Sequence, residues 1–222
     1  RQMCIRDSGN IYIPKALPLT ELPDERTQFT LGMYGDGDFF TMKGVVEEFF
    51  EKAGLDGRIT YDPEDKKSFL HPGRQADIIY DGVKVGYLGE VHPQVCENYN
   101  IGDRVYYADI DMPYIVEHAC FDKKYEGIAK FPTSTRDISL VVDKQVLIGT
   151  MENAIIKKGG KLLESCELFD IYEGEQVGEG KKSVAFSLVF RAKDRTLSDT
   201  EISEIMDKIL AELTGLGAVL RQ

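Results

Sequence analysis

Between Asp137 and Arg221 the apolar pattern switches between a two-residue and a helical period in the order β-α-β-β-α-β. No other feature of the chain restricts the fold as much. The spacing predicts strands over Asp137–Val142, Leu162–Tyr172, Ser183–Ala192 and Ala218–Arg221, and helices over Thr150–Lys158 and Asp199–Leu213. That order closes as a four-stranded antiparallel sheet with two helices on one face, the ferredoxin-like arrangement. Thr150 and Gly159 are expected to bound the first helix. Ser198 and Glu201 have capping-box spacing for the second, and Gly215 is expected to end it. Alternation places Ile138, Leu140, Val142, Val184, Phe186, Leu188 and Phe190 against the helices. The other face offers Ser139, Val141, Ala185, Ser187, Val189 and Arg191, which suits recognition of an extended partner and equally a solvated or domain-contact face.

The first half reads differently. Pro14 and Pro18 mark an edge or irregular strand, and a further strand is expected over Thr27–Met33. The stretch GDGDFFTMKGVVEEFFEKAGL, residues 35–55, signals a helix capped at Thr41, with Val45, Val46, Phe49, Phe50 and Ala53 as its stripe and Gly54 as its stop. Residues 59–118 read as strands, with a hairpin turning at Asp81-Gly82, a short helix begun by Pro93 and a strand over Arg104–Met112. Residues 1–8 have neither period and are expected to be a non-native leader. Residues 9–118 then form the first domain, 119–129 a polar linker and 130–222 the second domain. The class is α+β.

Composition excludes several functions. No run approaches the roughly 20 apolar residues of a membrane span, and no secretory leader is evident. The four cysteines and three histidines are too scattered for a metal site, and reduced cytoplasmic thiols are expected. A net charge of −11 argues against non-specific coating of nucleic acid. The acid is uneven, however. Residues 1–124 carry 14 basic and 22 acidic side chains, residues 125–222 carry 13 and 16, so a local basic patch fits the second half.

The strings FPTSTRDISLVV and LFDIYEGEQVGEGKKSVAFSLVFRAKDRTLSDTEI, with the ending GAVLR, resemble the ferredoxin-fold anticodon-binding domain of the bacterial phenylalanyl-tRNA synthetase β subunit family. DFFTMKGVVEEFFEKAG and LHPGRQADIIYDGVKVGYLGEVHPQV resemble the catalytic-like domain of the same family, a relative of the class II synthetase fold. The two matches stand in the family's order and cover residues 9–222. The resemblance implies an incomplete class II-like antiparallel sheet domain followed by the ferredoxin-like one, in a piece that lacks the family's upstream domains. It also implies a role in ATP- and Mg2+-dependent joining of phenylalanine to tRNA-Phe, inside an (αβ)₂ assembly whose chemistry sits on the α subunit. No cofactor and no catalytic residue is expected in this chain itself, which shows neither a glycine-rich phosphate cradle nor a nucleophile–base pairing.

Five basic residues are the candidates for tRNA contact: Arg136, Arg191, Lys193, Arg195 and Arg221. Arg136 opens the first strand of the second domain, where a guanidinium can pair with phosphate or stack on a base; the alternative is an Arg136–Asp137 ion pair holding the loop. Arg191, Lys193 and Arg195 form a dense basic run at a strand end, balanced in part by Asp194. Lys181, Lys182, Phe131, Phe169 and Tyr172 are weaker candidates. His71, Arg74, Glu90 and His92 are expected to make turns, an Arg74–Glu90 bridge and a subunit interface rather than acid–base chemistry. The competing readings are a first domain that retains adenylation chemistry, and a stand-alone ferredoxin-like regulatory or RNA-binding module.

Overall fold

On one face of the strand Val105–Asp111, Tyr106, Ala108 and Ile110 are buried in the apolar core, while on the other Val105 and Tyr107 are half-buried and only the polar Asp109 is buried, so a period of two sorts its apolar face. The computed structural model describes residues 3–55, 59–122, 127, 129–174 and 177–221. The chain divides into two compact units, Arg1–Lys124 and Tyr125–Gln222. Part of the expected leader (1 and 2) and of the expected linker (123–126 and 128) lies outside the described residues.

The first unit runs β1 (Met3–Ile13), β2 (Asp24–Tyr34), α1 (Phe39–Lys52), β3 (Ile59–Asp62), β4 (Leu70–Tyr80), β5 (Val83–Val91), α2 (Pro93–Asn98), β6 (Val105–Asp111) and α3 (Met112–His118). Its strands form one antiparallel sheet in the order β1-β2-β6-β5-β4-β3. Val46 and Phe50 of α1 and Ile115 of α3 close over Leu31, Met33, Ile78, Leu88, Ala108 and Ile110. Burying a side chain the size of Phe50 contributes about 1.5–3 kcal/mol. The Asp81-Gly82 turn has φ of 50° and 81°, as a tight mirror-image hairpin turn requires.

The second unit runs β7 (Ser134–Asp143), α4 (Ile148–Gly159), a 3₁₀ turn (Gly160–Leu162), β8 (Leu163–Tyr172), β9 (Lys181–Phe190), α5 (Asp199–Gly215) and β10 (Val219–Leu220). The sheet order β10-β7-β9-β8 is that of a ferredoxin-like domain. All seven inward-facing residues expected from the alternation are buried, together with Met151, Ile155, Ile202, Ile209 and Leu213 of the two helices.

Local differences have local causes. Residues Met3–Ser8, expected to be irregular, extend β1 and pair with Ser8↔Phe29 through Met3↔Tyr34. Cys4–Asn10 are exposed on both faces of an edge strand, so nothing selects for alternation there. Asp38, not Thr41, caps α1: its carboxylate accepts from the Thr41 N–H at 2.7 Å, and the Thr41 hydroxyl accepts from the Asp38 N–H at 3.2 Å. Thr150 lies inside α4, whose N-cap is Leu147 with no side-chain capping bond. Past Gly215, α5 caps at Leu216, and Gly217 takes the left-handed φ of 83°. The helix α3 interrupts what reads as a run of strands, because Pro113 falls in its first turn, where its missing N–H costs nothing.

Candidate nucleic-acid interface

Two of the five candidate basic residues meet at the amino end of α5. Arg136 lies on the helix side of β7, and its guanidinium donates to Asp199 Oδ1 at 2.8 Å and to the Thr135 carbonyl at 2.9 Å. The alternative Arg136–Asp137 pair does not form. Asp137 lies on the opposite face and accepts from the Ser187 hydroxyl at 2.7 Å. Arg195 binds Asp194 and Glu201, and Glu201 completes the capping box with Ser198. Both arginines are about half exposed, and exposed ion pairs are weak and screened by salt. Each can therefore exchange its carboxylate for a phosphate at little cost.

The strand around Arg136 is open on one side. Pairing between β10 and β7 reaches Leu140, and the Arg221 N–H extends it to the Ser139 carbonyl at 2.9 Å. Arg221 belongs to the other face, where its guanidinium lies 3.4 Å from Ser183 Oγ and 5.8 Å from the centre of the Tyr172 ring. Arg191 approaches Glu164, with Nε 3.0 Å from the carboxylate oxygen but misaligned for a hydrogen bond. Lys193 is exposed on the loop between them. The structure thus joins Arg136 with Arg195 through α5, puts Arg191 and Lys193 on the adjoining loop, and separates Arg221 from them.

Lys182, a weaker candidate, is a structural residue. It is buried, and its ammonium donates to the carbonyls of Val146 at 2.7 Å and Lys144 at 3.2 Å. Desolvation lowers its pKa. Phe169 and Tyr172 are exposed on β8 rather than packed in the core. What sequence reasoning missed are the acids Glu164, Asp199 and Glu201 that pair with these arginines; the capping-box spacing was the one available signal, for Glu201.

The capping box carries a pH prediction. Hydrogen bonds from the Ser198 backbone and from Arg195 hold the Glu201 pKa down to about 2, from an ordinary 4.5. A depressed folded pKa means that its contribution is complete above the unfolded value and is lost as pH falls toward 2. Urea melts between about pH 6 and about pH 2 should show this acid loss, and Glu201→Gln should flatten it.

In the first unit, Arg74 does bridge Glu90, at 3.0 and 2.8 Å to its two oxygens. His71 and His92 accept from the N–H groups of Gly73 and Gln94 through Nδ1, which fixes turns. An open groove of about 460 Å³ is lined by His71, Arg74, Glu90, Cys96 and Arg104 among others. On the sheet face away from the helices, buried Asp109 accepts from Thr30 and Tyr87 at 3.0 and 3.1 Å. Buried Asp77 binds Lys67 and Lys84. These carboxylates are thus engaged by the unit's own side chains. Among the described residues no three His, Cys, Asp or Glu side chains gather to hold a metal, and no helix is long and apolar enough to cross a membrane.

Comparison with known proteins adds sequence relationships to this geometry. The ferredoxin-fold anticodon binding domain family matches residues 129–221, and the phenylalanyl tRNA synthetase beta chain CLM domain family matches residues 2–112. A phenylalanine–tRNA ligase beta subunit of Clostridium acetobutylicum is 44% identical over 214 residues, 96% of this chain and 27% of the relative. Another, of Clostridium tetani, is 40% identical over 97% of this chain and 27% of the relative. The chain thus spans about a quarter of the length of the curated relatives it matches. Among solved structures, a pyrrolysyl tRNA synthetase of Desulfitobacterium hafniense aligns with a TM-score of 0.41 at 12% identity, covering 52% of this chain and 41% of that one.

Proposed function

Because the chain belongs to the phenylalanyl-tRNA synthetase beta chain family, we infer that it forms part of a phenylalanine–tRNA ligase, in which its second unit binds the anticodon region of tRNA-Phe. The observation that carries this reading is the co-occurrence of the two family domains in one chain, the second with the sheet order and buried face of a ferredoxin-like fold. Contact runs through Arg136 and Arg195 at the start of α5, Arg191 and Lys193 on the adjoining loop, and Arg221 on the other face. Phosphate contacts position the RNA, and stacking on splayed bases reads it.

The first unit serves as a non-catalytic platform for the α subunit in an (αβ)₂ assembly. That cytoplasmic assembly consumes ATP with Mg2+, and both are handled by the α subunit. ATP-dependent pyrophosphate exchange by this chain alone is expected to stay at background, and clear exchange would favour an adenylating first unit instead.

The test of RNA binding is a titration of the chain with tRNA-Phe across salt. Binding should weaken as salt rises, and Arg136→Ala with Arg195→Ala should lower the slope of log K against log salt by about 0.7 per lost phosphate contact. A salt-independent or unchanged profile would remove these residues from the interface.

A further inference from the structure

The outer strand of the second sheet has the opposite electrostatic character from the α5 loop. β8 pairs with β9 on one side and ends the sheet on the other, so half of its backbone groups face outward. Leu168, Phe169, Ile171 and Tyr172 on it are 39%, 60%, 46% and 37% exposed. Glu164, Glu167, Asp170 and the following Glu173 lie among them, and no Lys or Arg occurs from Leu163 to Glu173. Glu164 meets Arg191 and Glu173 meets Lys144, whereas Glu167 and Asp170 make no ion pair among the described residues.

Charge selects the occupant of this edge. A second copy laid along it would oppose acid to acid, and a phosphate backbone would be repelled in the same way. A basic segment would be attracted. The register shift between Leu168 and Asp170 leaves Phe169 without a cross-strand neighbour on β9, so its ring is available to be covered from outside. A polypeptide that alternates cationic and apolar residues satisfies all three demands. Its backbone takes the outward N–H and C=O groups, its cations face Glu167 and Asp170, and its apolar side chains cover Phe169.

We propose that β8 is a docking edge for a basic, extended polypeptide segment, which adds to the sheet as a strand beside Leu163–Tyr172. The edge touches two of the candidate tRNA residues, Arg191 at Glu164 and Arg221 at Tyr172, but Glu167, Phe169 and Asp170, which carry the proposal, pair with neither of them among the described residues.

The experiment titrates the whole chain with a synthetic peptide of alternating Lys and Val. Controls are a Glu/Val peptide of the same length and a Lys/Pro peptide of the same charge that cannot pair as a strand. Backbone amide exchange and affinity are both read. The Lys/Val peptide is expected to protect β8 amides and to bind at least about tenfold more tightly than either control. Glu167→Lys with Asp170→Lys should transfer the preference to the Glu/Val peptide. Phe169→Ser should weaken binding about tenfold, with unchanged melting because the side chain is exposed. Equal binding of the Lys/Pro peptide, unprotected β8 amides, protection of β8 by tRNA-Phe, or self-association through β8 would each overturn the proposal.

Discussion

Phe186→Ala is expected to destabilise the second unit by about 3–5 kcal/mol, a large share of the roughly 5–15 kcal/mol that holds a domain of this size together. Phe186 lies at the middle of β9, fully buried, where β9 pairs with β7 on one side and β8 on the other. It stands opposite Ile138 and Leu168, and its ring packs in the cluster formed with Met151, Ile155 and Ile209 from both helices. Removing the ring loses its transfer free energy and leaves a cavity that neighbours on three sides cannot fill. Urea unfolding followed by tryptophan-independent probes such as far-ultraviolet circular dichroism measures it, since the chain has no Trp. Val219→Ala, at a position 64% exposed, should change stability by no more than about 0.5 kcal/mol. A Phe186→Ala loss near that of the control would contradict the core assignment.

The second large effect is expected at Gly54→Ala, through backbone geometry rather than burial. Gly54 has a φ of 73°, and a Cβ built there would stand 1.7 Å from the Cys120 carbonyl oxygen. The closeness is functional for the fold, because the Cys120 N–H donates to the Ala53 carbonyl at 2.9 Å and ties the segment after α3 to the end of α1. An L residue pays about 1–2 kcal/mol for the left-handed conformation, and displacing a hydrogen-bonded backbone adds to it, so about 2–5 kcal/mol is expected. Gly102→Ala, with nothing within 4 Å of the added carbon and no positive φ, is the matched control. The pair of melts separates strain from a general preference for glycine.

The sequence made legible what repeats along the chain. The two-residue period identified the inward faces of β7 and β9, and the Asp81-Gly82 pair identified its turn. Glycines were harder to rank: Gly215 and Gly217 both suit a helix end, and only the course of the backbone decides that Gly217 takes the positive φ. The edge strand before Pro14 was read, but its first part, Met3–Ser8, was illegible because an edge strand exposed on both faces has no pattern to show. The arginines were found by type, but their partners were not. Asp199 and Glu164 are far from Arg136 and Arg191 along the chain and are brought to them by the crossing of α5 over the sheet and by the β8–β9 pairing. The acidic edge of β8 was likewise invisible while only Phe169 and Tyr172 on it were weighed, as candidates for tRNA contact.

The central claim is that the second unit engages the anticodon region of tRNA-Phe through the basic residues around the start of α5. Its most direct test is a nuclease footprint of tRNA-Phe bound to the chain and to its Arg136→Ala, Arg195→Ala variant. Protection centred on the anticodon loop is expected, and its loss in a variant that still melts like the parent. Protection elsewhere on the tRNA, or an anticodon footprint that survives both substitutions, would contradict it.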